Sequence, residues 1–308
     1  MWGVVVLRLV IKHGVLFRLF TINPLYSSIY MSKKQKEWLS LRTNASLSCR
    51  VTLVSIIFPH QSLIKIQHLP KTIRRLALSQ QSDYLDSLDH LCSGLTHLTL
   101  GKGFNEPVVK LPSSLIHLVL GANFNRPFAL VFGENDSPPS LTHITLDYFF
   151  NQPLTTGGPF GTTGGPFGKN LPLSLTHLFL GYHFNQPFLD PLPLGLTHLT
   201  LGHCYNKPFG KGVLPSTLTH LVLGEWYNQP FEDPLPPNLI SLHFGVHFNH
   251  PLKNLPPTLS NLVLGYYFDH PLDFPHHAQT GPRISLTLSD HYKFSIDHLL
   301  PFVVIRRN

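Results

Sequence analysis

Charge is scarce in this chain: Asp, Glu, Lys and Arg make up only 13% of its 308 residues. What little there is lies unevenly. Residues 1–75 hold 12 Lys or Arg against one acid, Glu37, and the rest of the chain carries a net negative balance. The long C-terminal part is therefore not an electrostatic trap for nucleic acid. Cysteine is almost missing. Cys49, Cys92 and Cys204 lie far apart, in no metal-ligand spacing and no disulfide framework. That usage fits a reducing compartment, and a cytoplasmic, intracellular location is expected. A long apolar run is also missing. Residues 1–20 are apolar but broken by Arg8, Lys12 and Arg18, so nothing reaches the roughly 20 residues that cross a bilayer as a helix. Three readings stay open for this stretch: a cleaved signal, a mitochondrial-type presequence (no acid precedes Glu37), or a true start at Met31. No Gly-x-Ser-x-Gly, phosphate-binding loop or His-Glu-x-x-His occurs. No catalytic, cofactor-binding or metal-binding residue is assigned, and a non-enzymatic protein is expected.

Proline (28) and glycine (22) are plentiful, which suits many tight turns rather than long helices. They recur in order. The block Leu-Thr-His-Leu-x-Leu-Gly-x-x-Phe-Asn-x-Pro begins at Leu95, Leu115, Leu141, Leu175, Leu196, Leu218, Leu239 and Leu259. Most neighbouring copies lie 20 to 22 residues apart. A unit that short has no core of its own and buries its apolar face only against the next copy, as in a solenoid.

Within the block, positions 1, 4 and 6 are apolar, as in Leu175, Leu178 and Leu180. Positions 4 and 6 alternate with 3 and 5, the period-2 signature of a strand with one buried face. Gly at position 7 ends the strand, with Asp147 as the exception. A Phe or Tyr at position 10 reads as core filler stacked copy on copy. Position 11 is the turn residue: Asn105, Asn125, Asn151, Asn185, Asn206, Asn228, Asn249 and Asp269. Asn tolerates left-handed geometry and bonds nearby backbone, and stacked Asn side chains can also serve the next coil. Pro at position 13 and Leu-Pro pairs ahead of most blocks leave no room for a helix on the return. The expected fold is mainly β: a leucine-rich-repeat-like solenoid with one short parallel strand per coil and few helices.

Residues 95–272 form that array of eight clear repeats. Residues 1–48 read as a basic segment, poorly ordered or wrongly included. Residues 49–94 read as degenerate starting coils, since Leu69–Leu78 repeats the block's opening, and residues 273–308 as a C-terminal cap containing one last strand at Ile284–Leu288. Two inserts interrupt the spacing, between Phe128 and Ser140 and at Thr155–Gly168, the latter a tandem duplication expected to be an extruded loop.

Two sets of outward positions are left to carry function. Position 3 gives His97, His117, His143, His177, His198 and His220, a prospective ladder on one sheet face. Positions 8 and 9 vary most and include Tyr148, Tyr182, Trp226 and Tyr266, residue types that anchor protein partners. A flat row of imidazoles lacks the convergence a metal needs. A pH-sensitive surface remains open.

The Phe-Asn-x-Pro turn after Leu-Thr-His-Leu-x-Leu-Gly resembles the FNIP repeat, a leucine-rich-repeat relative found in slime moulds, other amoebae and some of their giant viruses. Here Gln, Glu, Arg, Lys or His stands in place of the motif's Ile, and the resemblance covers about residues 69–272. It implies a leucine-rich-repeat-like solenoid and protein binding. Viral members resemble F-box proteins at the N-terminus, which implies an alternative role as a ubiquitin-ligase adaptor. Residues 1–68 carry no Leu-Pro-rich F-box pattern. A further alternative is attachment to nucleic acid or membrane through the basic N-terminal quarter. For the array itself the expected partner is a protein of unknown identity, with neither nucleic acid nor membrane expected.

Overall fold

A computed structural model describes the backbone of residues 6–12, 15–19 and 53–57. It describes in full 73–77, 88, 91–106, 108, 111–127, 138–154, 171–272, 283–297 and 303–306. Both inserts lie largely or wholly outside these residues. The chain divides into two compact units, residues 1–126 with 130–141 and residues 127–129 with 142–308.

In the first unit, β1 (Val6–Lys12), β2 (Val15–Leu19) and β3 (Leu53–Ile57) form a sheet of order β2-β1-β3. The β1–β2 pair is antiparallel and the β1–β3 pair parallel. Three parallel strands follow in solenoid register: β4 (Arg75–Ala77), β5 (His97–Thr99) and β6 (His117–Leu120). The alignment of Leu76 with Leu98 matches the degenerate block upstream of the array.

The second unit carries eight strands in chain order: β7 (His143–Leu146), β8 (His177–Leu180), β9 (His198–Thr200), β10 (His220–Val222), β11 (Ser241–His243), β12 (Asn261–Val263), β13 (Ile284–Leu288) and β14 (Val303–Arg307). All neighbours are parallel. The fold is thus a mainly β, leucine-rich-repeat-like solenoid, and no α-helix occurs among the described residues. The last expected strand, β13, is followed by one more, β14. The duplicated insert leaves β7 and β8 in full register, His143 against His177.

Each strand sits between two β-turns. Ahead of it, the amide of the first Leu donates to a residue three back, as Leu196 to Pro193 (2.9 Å) and Leu218 to Pro215 (3.1 Å). Behind it, the position-10 ring residue donates to position 7, as Phe184 to Gly181 and Tyr205 to Gly202, both 3.2 Å. Proline and glycine thus mark the two corners. Positions 1, 4, 6 and 10 point inward and are fully buried. The rings stack face over face from coil to coil. Phe150, Phe184, Tyr205, Tyr227, Phe248, Phe268 and Tyr292 follow at 5.9–6.1 Å between centroids. A second column, Phe188, Phe209 and Phe231, runs beside them at 5.9 and 6.0 Å. Its sequence signal is the Phe that follows the position-13 Pro.

The position-11 residues act between coils. The side-chain oxygen of Asn185 accepts from the amide of Asn206, Asn206 serves Asn228, and Asn228 serves Asn249, each at 3.0 Å. Asn105 and Asn125 do the same in the first unit. Asn249 serves Asp269, whose own carboxylate meets Lys293. None of these residues is left-handed; Asn254 is the one non-glycine with positive φ among the described residues. The column therefore exists for bonding across coils, not for turn geometry.

The position-7 glycines likewise answer to a neighbour. A Cβ on Gly202 would run into the carbonyl of Gly181, and one on Gly224 into the carbonyl of Gly202. Neither has positive φ, so close backbone approach, rather than turn conformation, demands glycine there. Gly202→Ala should cost about 1–3 kcal/mol, since the obstacle is backbone shared by two coils. Gly210→Ala, whose Cβ meets only Val213 at 3.7 Å, should stay within about 0.5 kcal/mol of the parent. Urea unfolding of the two variants checks the contrast.

A second expectation concerns Tyr205 and Tyr227, whose buried hydroxyls have no hydrogen-bond partner. Burial pushes both phenols up; for Tyr205 the neighbouring Tyr227 adds to it. Phe fills the same column at 184, 248 and 268. Removing an unpaired buried hydroxyl relieves roughly 1 kcal/mol or more. Tyr205→Phe and Tyr227→Phe should each raise the denaturation midpoint, and a lowered midpoint would mean the hydroxyls are satisfied.

Candidate functional site

The outer sheet face is built from positions 3 and 5, half-buried apart from the exposed Phe179, where positions 4 and 6 are buried. Parallel pairing in register puts the position-3 histidines directly beside one another. In the first unit His97 and His117 stack at 4.3 Å. In the second, His143, His177, His198 and His220 form a continuous stack with steps of 4.1, 4.1 and 4.2 Å and ring planes within 13°.

The position-2 threonine explains why the rings align. The Thr197 hydroxyl donates to the Thr176 carbonyl of the preceding coil (3.1 Å) and lies 2.9 Å from Nδ1 of His198. Thr176 and Thr219 repeat this for His177 and His220. A hydroxyl has one proton. With that proton on the carbonyl, the ring donates from Nδ1–H; with it on the ring, Nδ1 accepts. Either way the Thr-His dipeptide fixes the orientation, with Nδ1 against the hydroxyl and Nε2 on the far side of the ring.

Burial lowers the affinity of His177 for a proton, and the charges of His143 and His220 lower it further. His198 is lowered by burial first, then by His177 and His220. The column then changes to Ser241 and Asn261. There His243, at position 5, is lowered by burial and then by His220, and its Nε2 lies 2.7 Å from the Asn261 amide nitrogen. Among the described residues no three His, Cys, Asp or Glu side chains converge as metal ligands, and parallel stacked imidazoles aim parallel lone pairs.

Past the far end of the strands runs a ridge made by positions 8 and 9, the two corner residues of the glycine turn. Each turn is bonded to the one before, as His183 N to Tyr148 O (2.9 Å) and Trp226 N to His203 O (3.0 Å). Corner side chains point away from the coil, so large rings stay exposed: Tyr148 40%, Tyr182 37%, Trp226 50% and Tyr266 49%. These rings are not isolated. Tyr148 stacks on Tyr182 at 4.9 Å, and Tyr182 on His203 at 4.4 Å. Trp226 stacks on His247 at 4.3 Å and donates from Nε1 to Nε2 of His203 at 2.8 Å. Tyr266 meets the edge of His291.

Other residues at positions 8 and 9 belong to the ridge as well. Phe149 and Tyr267 are exposed position-9 rings, and His203 and His247 hold the ridge together by stacking. Phe179, at position 5, is also exposed. The ridge thus takes in positions 8 and 9 together, the variable pair of the repeat, and Phe179 lies outside that pair. In the first unit the same corners are Lys102-Gly103 and Ala122-Asn123, so the aromatic ridge belongs to the second unit. No helix among the described residues is long and apolar enough to cross a membrane.

The ladder makes stability pH-dependent. His177 and His198 bind a proton less readily folded than unfolded. Their contribution is present above the unfolded value near 6.5 and is lost as pH falls toward their lower folded values. The melting temperature should therefore drop on acidification below about pH 6.5, and His177→Asn/His198→Asn should flatten that drop. Equal slopes for parent and variant would exclude the ladder as its cause.

Comparison with known proteins agrees with this geometry. The FNIP Repeat family model matches residues 166–204, 184–226, 205–247 and 227–266. The solved structure of CroV588, described as a novel circular LRR protein, is similar at 31% identity and a TM-score of 0.65. That match covers 79% of this chain and 34% of CroV588, so the chain spans about a third of that protein's length. YopM from Yersinia enterocolitica WA-314 aligns at 19% identity and a TM-score of 0.36, over 83% of this chain and 64% of YopM. No curated protein matches the chain.

Proposed function

We propose, for a chain that carries FNIP repeats on a leucine-rich-repeat-like solenoid, that it is a non-enzymatic scaffold binding a protein partner through the second unit's ridge and sheet face. The observation that carries this reading is the row of exposed, mutually stacked rings, with Tyr148, Phe149, Tyr182, Trp226, Tyr266 and Tyr267 between 37% and 52% exposed. Ordering exposed rings when a partner docks costs some entropy. Here stacking already orders them, so the surface is organised before binding. Aromatic anchors in such a setting carry most of an interface's energy. The strand face supplies a regular row of partly exposed side chains for a partner's surface to follow.

The adaptor role and the attachment role both draw on residues 1–75. The described residues there are the backbone strands β1 to β3 and the start of β4, and none of them favours either role.

The intact chain and its Tyr182→Ser/Trp226→Ser/Tyr266→Ser variant, both purified by affinity from the host, test the proposal. Loss of hot-spot rings, each worth about 2 kcal/mol, should reduce recovery of the specific partner at least tenfold. Equal recovery by both proteins, with the variant folded, would remove the ridge from the interface.

A further inference from the structure

Strands β7 to β12 contain no Asp, Glu, Lys or Arg. The face they build is uncharged while its histidines are neutral, and histidine is its one means of acquiring charge. Four of the five histidines concerned stand in one stack, His143, His177, His198 and His220, and His243 lies two residues further along on β11, level with Val222. Their position-5 companions, Thr145, Phe179, Thr200 and Val222, do not titrate near neutrality. Around the strands' glycine-turn ends the charged groups are Asp147 and Glu225. Both are engaged with backbone, Asp147 with the amide of Tyr148 and Glu225 with that of Val246. His183, His203, Cys204 and His247 stand on the same turns. On the proline-turn side the corners before β8 to β11 are Leu173-Ser174, Leu194-Gly195, Ser216-Thr217 and Pro237-Asn238, all uncharged.

The threonine clamp decides what protonation does. With Nδ1 held against the threonine hydroxyl, each protonated ring presents a cationic Nε2–H on its far side. The neutral row becomes a row of cationic donors. Adjacent rings at 4.1–4.2 Å repel once charged, and no strand carboxylate relieves that repulsion. An external anion does. Proton uptake and anion binding then strengthen each other by linkage.

We infer that the stack built on His177, His198 and His220 is an acid-gated docking surface for a carboxylate-rich peptide segment. This rests on reading the second unit as a protein-binding surface, and adds the partner's chemistry and the condition for its capture. A polypeptide fits better than a polyphosphate backbone. Its side chains can use the aromatic ridge alongside, whereas a nucleic acid keeps its charge at every pH and finds no Lys or Arg on these strands.

The test uses the intact chain, fluorescein-labelled hexaglutamate as probe and hexaglutamine as control. Anisotropy should report at least about tenfold tighter hexaglutamate binding near pH 5.5 than near pH 7.5, where unperturbed histidine is mostly neutral. Calorimetry in buffers of different ionisation enthalpy should show proton uptake on binding. His177→Asn/His198→Asn should abolish the acid-dependent gain, and Asn261 already occupies this column, so the substitution suits the fold. If that variant melts early, single His198→Asn should still lose most of the gain. Binding equally strong at both pH values, or an acid gain that survives the substitutions, overturns the proposal and points to the basic N-terminal quarter. An equally charged single-stranded oligonucleotide showing the same histidine-dependent gain overturns the peptide assignment. Failure here leaves the ridge reading standing, because ridge variants, not ladder variants, decide that one.

Discussion

Everything in this molecule depends on how closely one coil's backbone lies over the next. The clearest sign is the glycine column, where the space a Cβ would fill is held by the carbonyl of the preceding coil. At that separation the strands pair in parallel, the position-11 side chains reach the next coil's amide, and the position-2 hydroxyls reach the preceding carbonyl. Each coil has little core of its own. Its polar backbone and its apolar ring are both completed by a neighbour, as expected of a quasi-one-dimensional fold.

The functional surface inherits the same spacing. Side chains at one position in successive parallel strands have no freedom to spread, so six histidines in sequence become two stacks in space, one in each unit. Stacking makes a chemically modest residue collective: each ring's readiness to take a proton depends on the rings above and below. The turn corners show the complementary case. Their side chains leave the coil, so the interior does not dictate their identity, yet the coil spacing still stacks whichever rings occur there.

Much of this was legible in the chain. The repeat length, the inward Leu and Phe positions and the parallel register follow from spacing and period alone. The histidine ladder followed as well, because a constant offset in a parallel array maps onto a straight column. Other features were not legible. The glycine looked like a strand terminator and proved to mark close backbone approach between coils, and of the two roles open to the position-11 Asn the structure keeps the bond to the next coil. The Thr197–His198 clamp joins two chain neighbours through a carbonyl some twenty residues earlier. The second ring column, Phe188, Phe209 and Phe231, was hidden because its members lie past the proline that closes the motif.

The sequence by itself determined that this chain is a β-solenoid, because a period of about twenty residues with alternating leucines can bury its apolar face only by stacking copies. Only the tertiary structure decided what the outward residues do. Ring stacking, ring orientation and exposure depend on distances across coils: 4.1 Å between imidazoles, 2.8 Å from Trp226 to His203. Such distances arise between residues far apart in the chain, and local pattern carries no record of them.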